Sequence, residues 1–150
     1  ASHGQDHVNL STLDKEGILA NIKSAHDILV NLSGTTPRYL RPPNGDYDDL
    51  VVLAAKELGY ETVIWAVDSL DWKNPGVDYI VERVSKLTFR GAIILFHASD
   101  SAKETDLALP MVLDNLKTAG YEIMPLGQLL SIGKPARDDP RGRPRSELPQ

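Results

Sequence analysis

Ala92-Ile93-Ile94-Leu95-Phe96, followed by His97, is the stretch that decides the fold. A continuous apolar run leaves no polar face for water, which is the pattern of a strand covered on both sides, as in parallel sheets flanked by helices. His97 ends the run. A polar ring at the end of a buried strand needs a hydrogen-bond partner.

Downstream, residues 102–119 predict a helix, with Pro110 at its start or at a kink and Gly120 as its stop. A short strand over 121–124 and a short helix over 126–131 follow. Upstream, 77–87 reads as helix, 61–67 (ETVIWAV) as strand and 47–58 as a helix closed by Gly59. Residues 38–41 form a short strand that Pro42-Pro43 forces into an extended exit. A helix over 12–32 has Ser11, Thr12 and Asp14 as start signals and Gly34 as its stop. Its apolar residues Ile18, Ile22, Ala25, Leu29 and Leu32 keep helical spacing.

This alternation implies parallel strands with helices packed outside. The first helix has no strand before it. The expected architecture is therefore an α/β barrel without its first strands, with a short doubly wound sheet as the alternative. Residues 1–133 form the domain. Residues 134–150 are Pro/Arg-rich, hold four of the ten prolines and almost no apolar side chains, and read as a flexible tail.

The net charge of −5 argues against a nucleic-acid scaffold. No apolar run approaches the roughly 20 residues of a membrane span. Cysteine is absent, which excludes disulfides and thiolate metal sites.

In parallel α/β architectures, function gathers at the C-terminal ends of strands. Those positions carry Arg41-Pro42-Pro43-Asn44-Gly45, Asp68-Ser69-Leu70-Asp71-Trp72 and His97-Ala98-Ser99-Asp100. His3 and His7 precede the first helix, at a spacing that can aim two imidazoles at one ion. Free termini fray, so either the pair is a chance spacing or the chain begins inside something larger. Each cluster also has a plain structural reading. Arg41 could be a strand-end surface charge, Asp68 and Asp71 helix caps or turn formers, and Trp72 core filler. His26 reads as an exposed helix residue.

These clusters, in this order, resemble the motifs of the polysaccharide deacetylase family (carbohydrate esterase family four, the NodB-homology domain). The family's His-Ser/Thr-x-x-His is similar to His3-Gly4-Gln5-Asp6-His7, its Arg-x-Pro to Arg41-Pro42-Pro43, its Asp-x-x-Asp-Trp to Asp68 through Trp72, and its Leu-x-His to Leu95-Phe96-His97. Two departures stand out. Gly4 replaces a Ser/Thr whose hydroxyl would help hold the loop. The family's first motif, an Asp-Asp segment with the catalytic base and the third ligand, is expected upstream of Ala1, in a missing N-terminal segment of the same domain.

The resemblance implies a distorted (β/α) barrel and metal-dependent hydrolysis of acetyl groups from a polysaccharide, an N-acetylhexosamine polymer such as peptidoglycan or a chitin-like glycan. His3 and His7 would ligate a divalent metal, zinc or another ion such as cobalt. His97 would be the general acid. Arg41 would hold the missing carboxylate, and Asp71 would pair with Arg41 or with His97. Trp72, Leu95, Pro42 and Pro43 would contact substrate. The fragment by itself would be inactive without the upstream base, and the setting would be extracytoplasmic. The alternatives are a degenerate member that binds a glycan or a partner without catalysis, and an unrelated α/β domain with chance motifs.

Overall fold

A computed structural model describes residues 1–133; the tail expected over 134–150 lies outside the described residues. The helices are α1 (Lys15–Ser33), α2 (Asp49–Glu57), α3 (Val77–Leu87), α4 (Thr105–Thr118) and α5 (Leu126–Ile132). The strands are β1 (Tyr39–Leu40), β2 (Glu61–Thr62), β3 (Val67–Asp68) and β4 (Ile94–Leu95). Two compact units result, one from Ala1–Ile64 and one beginning at Trp65.

In the first unit β1 and β2 pair in parallel, and Ser2 adds a parallel bridge to Leu40. Asp14 caps α1 by accepting from the Gly17 amide, and Gly34 closes it in the left-handed conformation that favours glycine. Asp48 caps α2 in the same way through Val51. The helix expected over 12–32 thus begins at Lys15, because Leu10–Thr12 make a separate 3-10 turn. Ile18 and Ile22 of α1, Leu40 of β1, and Val51, Ala54 and Ala55 of α2 meet with Leu10 and Tyr60 in one core. Burial of a side chain such as Ile22 contributes about 1.5–3 kcal/mol.

In the second unit β3 and β4 pair in parallel. Ala92, Ile94 and Phe96 pack against the core of Val67, Ile80, Val81, Val84, Ala108, Val112 and Leu116. Strand alternation puts Leu95 and His97 on the opposite face. Pro110 sits inside α4 rather than at its start.

Two strand expectations need correction. Residues 61–67 are not one strand, because the segment changes partner. The Val63 amide donates to Leu40, whereas the Ala66 and Val67 amides both donate to Ile93. Residues 121–124 form no strand among the described residues, and the Tyr121 amide instead caps α4 by donating to Leu116. The expected parallel α/β pairing is present as two two-stranded sheets, and no closed barrel of strands is formed among the described residues.

Candidate functional site

In the first unit, the His3–His7 loop is built into the strand layer rather than frayed. The Ser2 amide donates to Tyr39 and the Arg41 amide to Ser2, at 2.7 and 2.9 Å. His3 Nδ1 donates to the Arg41 carbonyl, which can only accept. A neutral imidazole that donates through Nδ1 keeps its lone pair on Nε2, the arrangement seen in metal-ligating histidines whose other nitrogen is anchored. His7 is exposed, and its ring meets that of His3 edge-on, with centroids 5.1 Å apart and planes at 71°. Two imidazoles bound through Nε2 to one tetrahedral zinc, at roughly 2.0–2.1 Å, place their centroids about 5 Å apart. The pair therefore fits as part of a ligand set. Among the described residues no group of three or more His, Asp or Glu completes it.

Gly4 is demanded by the structure. Its φ is +77°, and a Cβ at this position would stand 2.6 Å from Asn21 Oδ1. That oxygen accepts the Gln5 amide at 2.9 Å, so a buried amide of α1 holds the loop where a Ser/Thr at position 4 was expected to. Asn21 was missed from the sequence; the signal was a polar residue on the apolar stripe of Ile18, Ile22 and Ala25.

The Arg41–Asp46 loop is fastened to the same segment. Asn44 Nδ2 donates to Asn9 Oδ1 at 2.7 Å, and the Ser11 amide and hydroxyl both donate to Asp46 at 2.9 Å. Pro42 and Pro43 are fully buried and shape this loop. Arg41 is half-buried, and burial lowers its pKa. His26 is half-buried rather than exposed; its Nδ1 lies 2.8 Å from the Tyr60 hydroxyl.

The second unit holds a more elaborate arrangement. Asp68 Oδ1 accepts the Leu70 amide in an Asx turn, and Leu70 adopts φ +60°, a strained value for a branched side chain. This turn sends the Asp71 carboxylate inward, where it is 0% exposed. Its Oδ1 accepts the Trp72 amide at 2.9 Å and His97 Nδ1 at 2.7 Å. Its Oδ2 accepts the His97 amide at 2.8 Å and the Thr105 hydroxyl at 2.6 Å. Burial pushes the Asp71 pKa up, but hydrogen bonds from Thr105, the His97 amide, the His97 ring and Ser69 outweigh it, so the net shift is downward. An ionised Asp71 can only accept, so His97 donates through Nδ1 and turns Nε2 away from the carboxylate. His97, one of the two partners expected for Asp71, is bonded to it within the second unit. Sequence reasoning missed Ser69 and Thr105, whose residue types give no local signal.

Trp72 is 46% exposed, so it is not core filler, and Lys73 Nζ stands 4.9 Å from its ring centroid. Leu95 is buried, and its carbonyl accepts the Ser69 amide.

Parallel strands flanked by helices thus carry a paired-histidine loop in the first unit and a carboxylate-anchored histidine in the second. The family model described as polysaccharide deacetylase matches residues 1–63. A peptidoglycan-N-acetylglucosamine deacetylase of Bacillus cereus is 41% identical over 97 residues, covering 63% of this chain and 46% of that protein. The peptidoglycan-N-acetylmuramic acid deacetylase PdaA of Bacillus subtilis is 30% identical over 133 residues, covering 86% of this chain and 50% of that protein. A CE4 family pseudoenzyme from Bacillus anthracis superposes with a TM-score of 0.80 at 31% identity, covering 85% of this chain and 44% of that one. The chain belongs to the polysaccharide deacetylase family. It spans about half the length of these curated relatives.

Proposed function

We propose that this chain serves in metal-dependent removal of acetyl groups from an N-acetylhexosamine polymer, with peptidoglycan as the substrate and an extracytoplasmic setting. The observation that carries this reading is the buried Asp71 that grips His97 through Nδ1. A module that only binds sugar has no need to bury a carboxylate and use it to orient an imidazole. The distorted (β/α) barrel implied by the family belongs to the same reading.

His3 and His7 would hold a divalent ion, zinc or cobalt, leaving other positions to a carboxylate, water and substrate. When bound, such an ion polarises the acetyl carbonyl and makes a coordinated water more acidic. The protonated His97 would deliver a proton from Nε2 to the departing amine, while Asp71 balances the imidazolium charge. The Arg41 guanidinium would pair with a carboxylate acting as base and favour its ionised form; it makes no ion pair among the described residues. Trp72 offers an exposed aromatic face for a sugar ring, and Leu95 backs the acetyl methyl.

The test is acetate release from acetylated chitooligosaccharides and peptidoglycan fragments by the full-length protein, with zinc or cobalt and with chelator. Metal-dependent release is expected. A metal-loaded, folded protein that releases none overturns the proposal.

The similarity to a pseudoenzyme favours a second reading: a member that binds acetylated glycan without cleaving it. Saturable oligosaccharide binding with no acetate release would decide for it.

A further inference from the structure

The second unit contains a set of hydrogen bonds that the acetyl chemistry does not by itself call for. They join the turn after Asp71 to the segment leading into α4. Asn74 Nδ2 donates to the Ser101 carbonyl at 2.8 Å, and its Oδ1 accepts the Lys103 amide at 2.8 Å. The Gly76 amide donates to Glu104 Oε2 at 2.8 Å. Asn74 adopts φ +49° to do this, an uncommon conformation that asparagine tolerates better than most residues. One residue beyond Glu104, at the first position of α4, the Thr105 hydroxyl reaches the buried carboxylate.

We propose that Thr105 is a positioning residue for His97, acting through Asp71: its hydroxyl fixes the carboxylate so that the opposite oxygen meets His97 Nδ1 and Nε2 is left to work. One backbone amide already meets each carboxylate oxygen, and the Thr105 hydroxyl adds a second donor on Oδ2 that narrows the remaining rotation about the Cβ–Cγ bond. Two of its four donors are backbone amides, which set its depth. The other two are the His97 ring, which must be oriented, and the Thr105 hydroxyl, which belongs to a helix. Among the described side chains that act on the carboxylate, Thr105 is the one carried by a helix, whereas Ser69 belongs to the turn itself. The Asn74 and Glu104 bonds keep the start of α4 in register with the turn, so the anchor cannot drift from the group it holds. The downward shift of the Asp71 pKa, to which the Thr105 bond is the largest lowering contributor, is in keeping with this arrangement.

Only the kinetic arm of the test rests on the deacetylase reading. The full-length protein is labelled with ¹⁵N-histidine, and the His97 ring is assigned and read at a pH where it is neutral. In the wild type the Nδ1–H tautomer should dominate, against the usual preference of free histidine for Nε2–H. Thr105→Val, isosteric but without the hydroxyl, should mix the tautomers and lower kcat about tenfold with KM changed less than about twofold. Thr105→Ser should restore both. Should Thr105→Val fail to fold by circular dichroism, Thr105→Ala, which suits a helix start, takes its place under the same criteria. A folded hydroxyl-less variant that keeps the Nδ1–H signature overturns the proposal, as does failure of Thr105→Ser to rescue. A tautomer shift in a protein that releases no acetate would leave Thr105 in its role and remove the deacetylase reading instead.

Discussion

Asp71→Asn is the perturbation that most directly probes the second unit. The carboxylate accepts four hydrogen bonds, two on each oxygen. An asparagine of the same shape accepts on one side only and donates on the other. With its NH₂ toward Thr105, the hydroxyl can turn to accept, but the His97 amide cannot. With its NH₂ toward the His97 ring, the ring can change tautomer, but the Trp72 amide cannot. Either way one partly buried backbone amide faces a donor, which costs about 1–3 kcal/mol, and the charge-assisted character of the remaining bonds is lost. A destabilisation of about 2–4 kcal/mol at neutral pH is expected from urea unfolding. The sign of its pH dependence follows from the lowered Asp71 pKa. The ionised carboxylate contributes its stability in full above the unfolded value near 3.8 and loses it as the pH falls through the lower folded value. The gap between wild type and Asp71→Asn should therefore be widest at neutral pH and shrink in acid. On the deacetylase reading, acetate release should fall about 10²–10⁴-fold, since the imidazolium loses its counter-charge. A gap that stays constant from pH 7 into acid, or a variant that keeps activity within about threefold, would refute the reasoning.

Three further outcomes are expected. His3→Ala and His7→Ala should each weaken zinc binding by at least about tenfold in calorimetric titration, with little change in stability for the exposed His7. Gly4→Ser should destabilise the first unit by about 1–3 kcal/mol, through the positive φ and the clash with Asn21, and should weaken zinc binding too; unchanged thermal unfolding would show that the loop can move aside. Trp72→Ala should change stability by less than about 1 kcal/mol because the ring is half exposed, yet raise KM for oligosaccharides; an unchanged KM would remove Trp72 from the substrate face.

Much of the fold was legible because its signals are local. Asp14 and Asp48 cap their helices within three residues, Gly34 ends α1 through its own φ, and the apolar spacing of α3 falls on Ile80, Val81 and Val84. Strand extent was less legible. The 61–67 run is uniformly β-prone, and nothing within it says that Val63 will bond to one partner strand and Ala66 to another. The 121–124 run looked like a strand because its composition suits one, yet Tyr121 spends its amide closing α4.

The same division runs through the candidate site. The helices, the parallel character of the sheets and the identity of the residues at the strand ends follow from periodicity, capping and the order of motifs along the chain. What those residues do to one another comes from packing. Asp71 meets His97 across 26 positions and Thr105 across 34, and Asn21 reaches the Gly4-Gln5 loop across 16. A hydrogen bond depends on distances of a few tenths of an ångström, and such distances between remote residues are set by how helices and strands pack, not by any pattern along the chain.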